Sequence, residues 1–251
     1  MAKARDKQRE RFVRARERQL EYQETKAASL TDPAATVRPY FLQTQALRAR
    51  LNAVRHITSA DRLIEVGSGA HGHVFWFGCT RSVGIDPLAC QYKRLFPDWQ
   101  DKAATIAAEG ERLPFSDASF DIAISDNVID HAERPLAILD EIVRVLRPGG
   151  LLYFTVNVHH PVYDIASRIH GLWNAAGIKV ELSAFADHTV HFTESAIRKA
   201  ISRLPLDPIE QSSNVGEVRR AQRSAAKLGP DPLLKALFFK NATYELIAIR
   251  Q

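Results

Sequence analysis

The sequence predicts an α/β fold: a Rossmann-like doubly wound sheet of seven strands, mostly parallel. Three observations lead there. Short apolar runs alternate with helical stretches from 61 to 158. A glycine cluster, LIEVGSGAHG at 63–72, closes the first run, with Gly67, Gly69 and Gly72 at G-x-G-x-x-G spacing. Acids then stand near three successive strand ends: Glu65 two positions before the first glycine, Asp86 closing SVGID, and Glu109 before the turn GERLPF. Strands joined by helices in this rhythm favour parallel pairing with right-handed crossovers.

The elements follow in order. Residues 1–28 read as a basic arm, helical or disordered, whose apolar residues Phe12, Val13, Leu20 and Tyr22 are too sparse for a membrane-binding face. Thr31-Asp32-Pro33 breaks it, and 29–58 carries a helix, about 38–57, that packs on the core and has Leu42, Ala46, Ala49, Ala53 and Val54 on one face. The main domain is 59–251. Strand one is 61–66, a short helix opens at the glycines, and strand two is 82–86. A helix at 87–96 stops before Pro97, and strand three is about 103–108. Strand four is 120–125, and a helix runs from Pro135, suited to a first helical position, to Leu146. The turn RPGG leads into strand five at 151–158. An amphipathic helix carrying Val162, Ile165, Ala166, Ile169, Leu172 and Trp173 comes next, then a histidine-rich loop. Thr193 caps a helix reaching Leu204. Strands six and seven fall near 207–212 and 242–250. The segments 159–192 and 213–236 leave the carboxyl ends of strands, where open α/β sheets bind ligands, and read as substrate walls.

Composition narrows the function classes. Residues 1–26 hold nine Lys/Arg and five Asp/Glu, so most of the formal charge of +5 belongs to the arm and the main domain is nearly neutral. A large nucleic-acid groove on the body is disfavoured on that ground. No run reaches the roughly 18 apolar residues of a membrane span. Two cysteines, Cys79 and Cys90, match neither a disulfide scaffold nor a zinc spacing, so a cytoplasmic setting is expected and no metal site is.

Glu65-Val66-Gly67-Ser68-Gly69, Asp86, EGERLPF, FDIAISDNVIDH, VLRPGG and HFTESAIRKAI together resemble class I S-adenosylmethionine-dependent methyltransferases, in particular the methyltransferase-11 branch of small-molecule enzymes. The likeness covers about 60–251 in outline, is tightest over 63–157, and implies that strand seven runs antiparallel. It implies S-adenosyl-L-methionine as cofactor, held by Glu65, Gly67, Ser68, Gly69, Asp86, Pro87, Glu109, Gly110, Glu111, Ser125 and Asn127, with Tyr40 as an aromatic neighbour. Physically, Gly67 and Gly69 let the backbone approach a ligand without a Cβ. Asp86 can accept both ribose hydroxyls, Glu65 can approach the methionine ammonium, and Glu109 with the Gly110 amide can read the adenine edge. A bland reading stands beside each: a strand-end acid can cap a helix or face solvent. An NAD reading also explains Asp86 as a ribose acid. It leaves Glu65 and Glu109 unexplained.

Transfer to a hydroxyl benefits from a general base with a pKa near neutral, which favours histidine. His131 after strand four, His160 after strand five and His191 in the later loop are the catalytic candidates, with His159 and His188 near them and Asp126 and Asp130 as weaker ones. Asp126, Asn157 and His160 are the residues that a magnesium site would use. Arg219, Arg223 and Lys227, spaced four apart, suggest either a solvated helix face or a site for an anionic acceptor such as a nucleotide-sugar, a lipid-linked glycan or a phosphorylated metabolite. Trp76 and Trp173 suit core or lid packing, while Tyr40 and Phe115 suit the cofactor's surroundings. The expected function is methyl transfer, to oxygen, on a small or sugar-containing molecule. Two alternatives are an RNA or protein methyltransferase that uses the basic arm, and a binding module without chemistry.

Overall fold

The computed structural model describes residues 2–162, 191–224, 239 and 241–251. Seven strands form one sheet in the order β3-β2-β1-β4-β5-β7-β6. They are β1 (Arg62–Val66), β2 (Arg81–Ile85), β3 (Ala104–Ile106), β4 (Phe120–Asp126), β5 (Leu146–Val158), β6 (Leu206–Ser213) and β7 (Ala242–Arg250). The first five pair in parallel. β7 runs antiparallel between β5 and β6, as the resemblance implies.

Helices and a second layer of side chains cover both faces. On one face Ile138, Leu139 and Ile142 of α5 (Pro135–Val145) and Ile197 and Ile201 of α6 (Glu194–Ile201) pack on Val66, Ala123 and Phe154. On the other, Leu47 and Leu51 of α2 (Pro33–Val54), rather than the expected face of Leu42, Ala46, Ala49 and Ala53, which is exposed, join Tyr92 of α3 (Ala89–Leu95) and Trp99 of α4 (Pro97–Gln100) over Leu63, Ile122 and Ile124. The central strands are buried on both sides, which is why they read as unbroken apolar runs rather than alternating ones.

Three boundaries differ from the expected ones for identifiable reasons. α2 begins at Pro33, because Asp32 accepts from the Ala35 amide at 2.9 Å and Pro33 occupies the first turn. The Asp-Pro pair starts a helix as well as ending one. β5 begins at Leu146, which pairs with Phe120 before 147–150 bulges out, with Gly149 at φ +74°.

The third concerns the glycine loop. No regular helix opens there, only a 3-10 turn, His73–Phe75. Glu65 takes the amides of His73 and Val74, at 3.1 and 2.7 Å. The carbonyl of Ala70 accepts from Trp99 Nε1 and Gln100 Nε2 at 2.7 and 2.9 Å. Donors and acceptors that a helix would pair internally are already satisfied by side chains. Three glycines within six residues lower helix propensity further.

The basic arm is α1 (Ala2–Ala28). Its middle turn lies beside α3 at the carboxyl edge of the sheet, and Gln23 is buried. Val215–Ser224 forms α7 in the segment after β6. Most of 159–192, including Trp173 and His188, lies outside the described residues, as do the Arg223 side chain and Lys227. Among the described residues no helix is long and apolar enough to cross a membrane.

Candidate active site

The strand order reverses between β1 and β4, and a cavity of about 550 Å³ opens there at the carboxyl ends of the strands. Its floor is Val66, Gly67 and Gly69 after β1, and Ile85 to Leu88 after β2. Ala108 to Glu111 close one side, Asp126 to Val128 with His131 the other, and Ala15, Arg16, Arg18 and Gln19 of α1 form a wall.

The loop after β1 hugs the end of β2. The amides of Gly67 and Ser68 both donate to the Ile85 carbonyl, at 2.7 and 3.1 Å. Gly67 has φ +81°, and a Cβ there would stand 2.3 Å from a Val128 methyl. Gly69 has φ +54° and nothing within 4 Å of where its Cβ would be. One glycine is required by contact and strain, the other leaves open space beside the cavity.

Four carboxylates border that space: Asp86, Glu109, Glu111 and Asp126. Asp86 accepts from the Gly69 and Leu88 amides at 3.0 and 2.8 Å, each oxygen keeping a second lone pair. Burial pushes its pKa above the ordinary carboxylate range, against those two hydrogen bonds. Glu109 pairs with Arg16 of α1. Glu111 accepts from the Arg134 amide at 3.2 Å. Gly110 is packed so closely that a Cβ would come within 2.9 Å of Val66.

Asp126, at the end of β4, is held from behind. Its Oδ1 accepts from the Thr155 hydroxyl, and its Oδ2 lies 3.2 Å from His73 Nε2. Burial would raise its pKa, but the hydrogen bonds from His73 and Thr155 and the His73 charge outweigh that and lower it. His73 moves the other way: burial lowers its pKa, and Asp126 and Glu65 raise it overall. Glu65 is 2% exposed, and its burial lifts the pKa to about 7. It lies beneath the loop rather than in the cavity wall.

Of the expected cofactor residues, Gly67, Gly69, Asp86, Pro87, Glu109, Gly110, Glu111 and Asn127 line one cavity. Glu65, Ser68 and Ser125 sit behind it, buried. Tyr40 stands apart, stacked on His71 with ring centroids 4.6 Å apart. Phe115 packs edge-on against Phe120 at 4.9 Å. Trp76 meets Phe41 edge-on, and Lys102 lies over its ring at 4.2 Å.

Among the histidines, His131 lines the cavity, its Nε2 3.8 Å from the buried Asp130 carboxylate. His159 and His191 are buried together past β5, ring centroids 4.9 Å apart. His160 lies against Phe239, and burial and the nearby Arg219 charge lower its pKa. These three are not in the cavity wall. Asp126 turns to His73, and Asn157 donates to Asp130 at 3.3 Å. Among the described residues no group of three His, Cys, Asp or Glu is placed to hold a metal ion.

Sequence reasoning passed over His73 and Arg16. His73 follows Gly72 directly and meets Asp126 53 positions later, while Arg16 meets Glu109 across 93 positions. No local spacing signals either pairing.

This strand order, with β7 antiparallel, is that of an α/β Rossmann-like methyltransferase fold. Residues 64–154 match the methyltransferase-11 family model, described as a methyltransferase domain. A methyltransferase of Mycolicibacterium gilvum, itself uncharacterized, is 32% identical over 107 residues, 42% of this chain and 41% of that protein. One of Mycobacterium tuberculosis is 30% identical over 132 residues, 51% and 52% of the two chains. The chain thus spans about half or less of the length of these relatives. Geranyl diphosphate C-methyltransferase from Streptomyces coelicolor, solved with Mg2+, geranyl diphosphate and S-adenosyl-L-homocysteine, superposes with a TM-score of 0.57 at 16% identity, covering 82% of this chain and 79% of that one. The cyclase SpnF superposes at 0.53 and 16% identity, covering 82% and 80%. That a cyclase shares the fold shows that the fold alone does not name the reaction.

Proposed function

We propose that the chain transfers a methyl group from S-adenosyl-L-methionine to a small-molecule acceptor, and that the acceptor atom is oxygen. One observation carries the donor half: the cavity at the switch point is ringed by four carboxylates and apolar side chains. Two arginines of α1 are its basic members. A pyrophosphate set among Asp86, Glu109, Glu111 and Asp126 would meet like charge, whereas a cationic sulfonium joined to a nucleoside meets acceptors. This favours the methyl donor over NAD. Asp86 would hold the ribose hydroxyls, and Glu109 with the Gly110 amide the adenine edge, with Gly67, Gly69, Pro87, Glu111 and Asn127 shaping the wall. When bound, the cofactor supplies an electrophilic methyl carbon.

What the chain itself supplies is alignment, exclusion of water and a base. α1 closes one side of the cavity. His131, on the opposite side with Asp130 behind it, is the best-placed base for a hydroxyl proton. His160, with its lowered pKa and Arg219 nearby, stands past β5 and would face the acceptor instead. Arg219 suits an anionic group on that acceptor. Arg16 is directed at Glu109 rather than outward, which speaks against an arm that grips RNA.

The test is to incubate the protein with radiolabelled S-adenosylmethionine and a host metabolite extract, with and without nuclease. Label in a small-molecule fraction, unaffected by nuclease, is the expected result. Label lost with nuclease, or confined to protein, overturns the small-molecule acceptor.

A further inference from the structure

α1 walls one side of the cavity, yet little apolar surface holds it there. Among its described side chains Gln23 alone is buried, and Val13 and Tyr22 are 45% and 54% exposed. Its middle turn docks through polar contacts. Gln19 shares a hydrogen bond with the Tyr92 hydroxyl of α3, and Arg16 reaches both carboxylate oxygens of Glu109 through Nη2. An element with few buried apolar contacts opens at low cost.

The corner that joins α1 to α2 leaves room for such an opening. Residues 29–32 are non-helical there. A cavity of about 440 Å³ lies at the corner, lined by Lys26, Leu30, Asp32 and Ala35 with His71 and Phe96. Close-packed interiors resist rearrangement, whereas a hinge beside a void can turn without disturbing one.

The polar latch lands where the nucleoside is assigned. Arg16 lines the cavity together with Asp86 and Glu109, given above to the ribose hydroxyls and the adenine edge. Burial raises the Asp86 pKa, and the Arg16 charge is among the influences that oppose the rise, so the guanidinium is felt by both acids. A guanidinium and a nucleoside bring the same thing to a carboxylate, namely hydrogens for its lone pairs. An adenine amino group that approaches Glu109 from the cavity contends with Arg16 for those oxygens.

We propose that α1 is an autoinhibitory strap: Arg16 and the donor's nucleoside compete for Glu109 and Asp86, and the helix swings at 29–32 to admit the donor. The proposal rests on the donor assignment above. His131, the base in that reading, stands on the other side of the cavity. The apparent dissociation constant of the donor is then its intrinsic value divided by the fraction of molecules with the strap open. By reciprocity, the donor loosens the strap by the factor that the strap weakens the donor.

The experiment titrates wild type, Arg16→Ala and Arg16→Lys with S-adenosylhomocysteine by calorimetry at pH 7. Hydrogen exchange of the amides of 13–28 is followed in wild type with and without the same ligand. Arg16→Ala is expected to bind about 2- to 5-fold tighter than wild type, the reach of a partly exposed ion pair. Arg16→Lys, which keeps the charge, is expected to stay near wild type. Exchange over 13–28 is expected to speed up in the complex. Unchanged or weaker binding by Arg16→Ala overturns the strap, as does unchanged or slower exchange in the complex, the mark of a lid that the donor closes. Failure of all three proteins to bind S-adenosylhomocysteine overturns the donor assignment itself.

Discussion

Two carboxylates at the ends of adjacent strands, Glu65 on β1 and Asp126 on β4, have been given opposite work. Glu65 is buried, drifts toward the neutral form with a pKa of about 7, and satisfies two backbone amides of the glycine loop. Asp126 is kept ionised by His73 and Thr155 and looks into the cavity. Both face the same imidazole ring. An acid at a strand end is thus defined by what surrounds it: amides above Glu65 make it a brace, while donors behind Asp126 make it a presented charge.

The largest effect is expected where the two strand ends meet. Gly67→Ala places a methyl against Val128 at φ +81°, so strain and overpacking add, and we expect a loss of about 3 kcal/mol or more in stability with donor binding abolished. Chemical denaturation and titration with S-adenosylhomocysteine check both. Glu65→Ala leaves two amides without their acceptor, and a cost of about 1–3 kcal/mol for each is expected, read as a fall in Tm. Asp126→Ala should cost less stability than Glu65→Ala while costing more donor affinity. The reverse ranking would erase the distinction between brace and presented charge.

The same contrast predicts a pH signature. The folded pKa of Glu65 is raised, from 4.5 to about 7, so its contribution is full below pH 4.5 and is lost as pH rises through 7. His73 is raised from 6.5, so its share is lost at higher pH still. Asp126 is lowered from 3.8, so its share is full above that value and is lost as pH falls through the lower folded pKa. Wild-type Tm should therefore decline between pH 4.5 and 7, and Glu65→Gln should flatten that decline. An unchanged slope in the variant would mean that Glu65 is ionised throughout.

The smallest effect concerns α1. Arg16→Ala removes a partly exposed ion pair with Glu109, and a change of at most about 1 kcal/mol in stability is expected. A larger loss in thermal denaturation would make the arm part of the core rather than a wall of the cavity.

The legible parts of this molecule are the local ones. Strand-helix rhythm, the glycine loop, Asp86 just past β2 and Glu109 just past β3 each sit within a few residues of the turn that aims them, so spacing alone located them. The antiparallel seventh strand belongs to the resemblance. Glu65 shows the limit: its position on β1 was readable, but its burial depends on the amides of a loop that folds back over it. The Asp126–His73 pair and the Arg16–Glu109 pair join segments far apart in sequence, and no period or motif encodes such a meeting. Tyr40 was placed near the cofactor by its sequence neighbours, yet α2 carries it to His71, because a helix distributes neighbouring residues around its axis.

The most direct test of the whole account is a calorimetric titration of wild type and Asp86→Ala with S-adenosylhomocysteine and, separately, NADH. The account predicts that wild type binds S-adenosylhomocysteine and not NADH, and that Asp86→Ala weakens the former by about 10- to 100-fold. NADH binding at this cavity, or an Asp86→Ala variant with wild-type affinity, would contradict it.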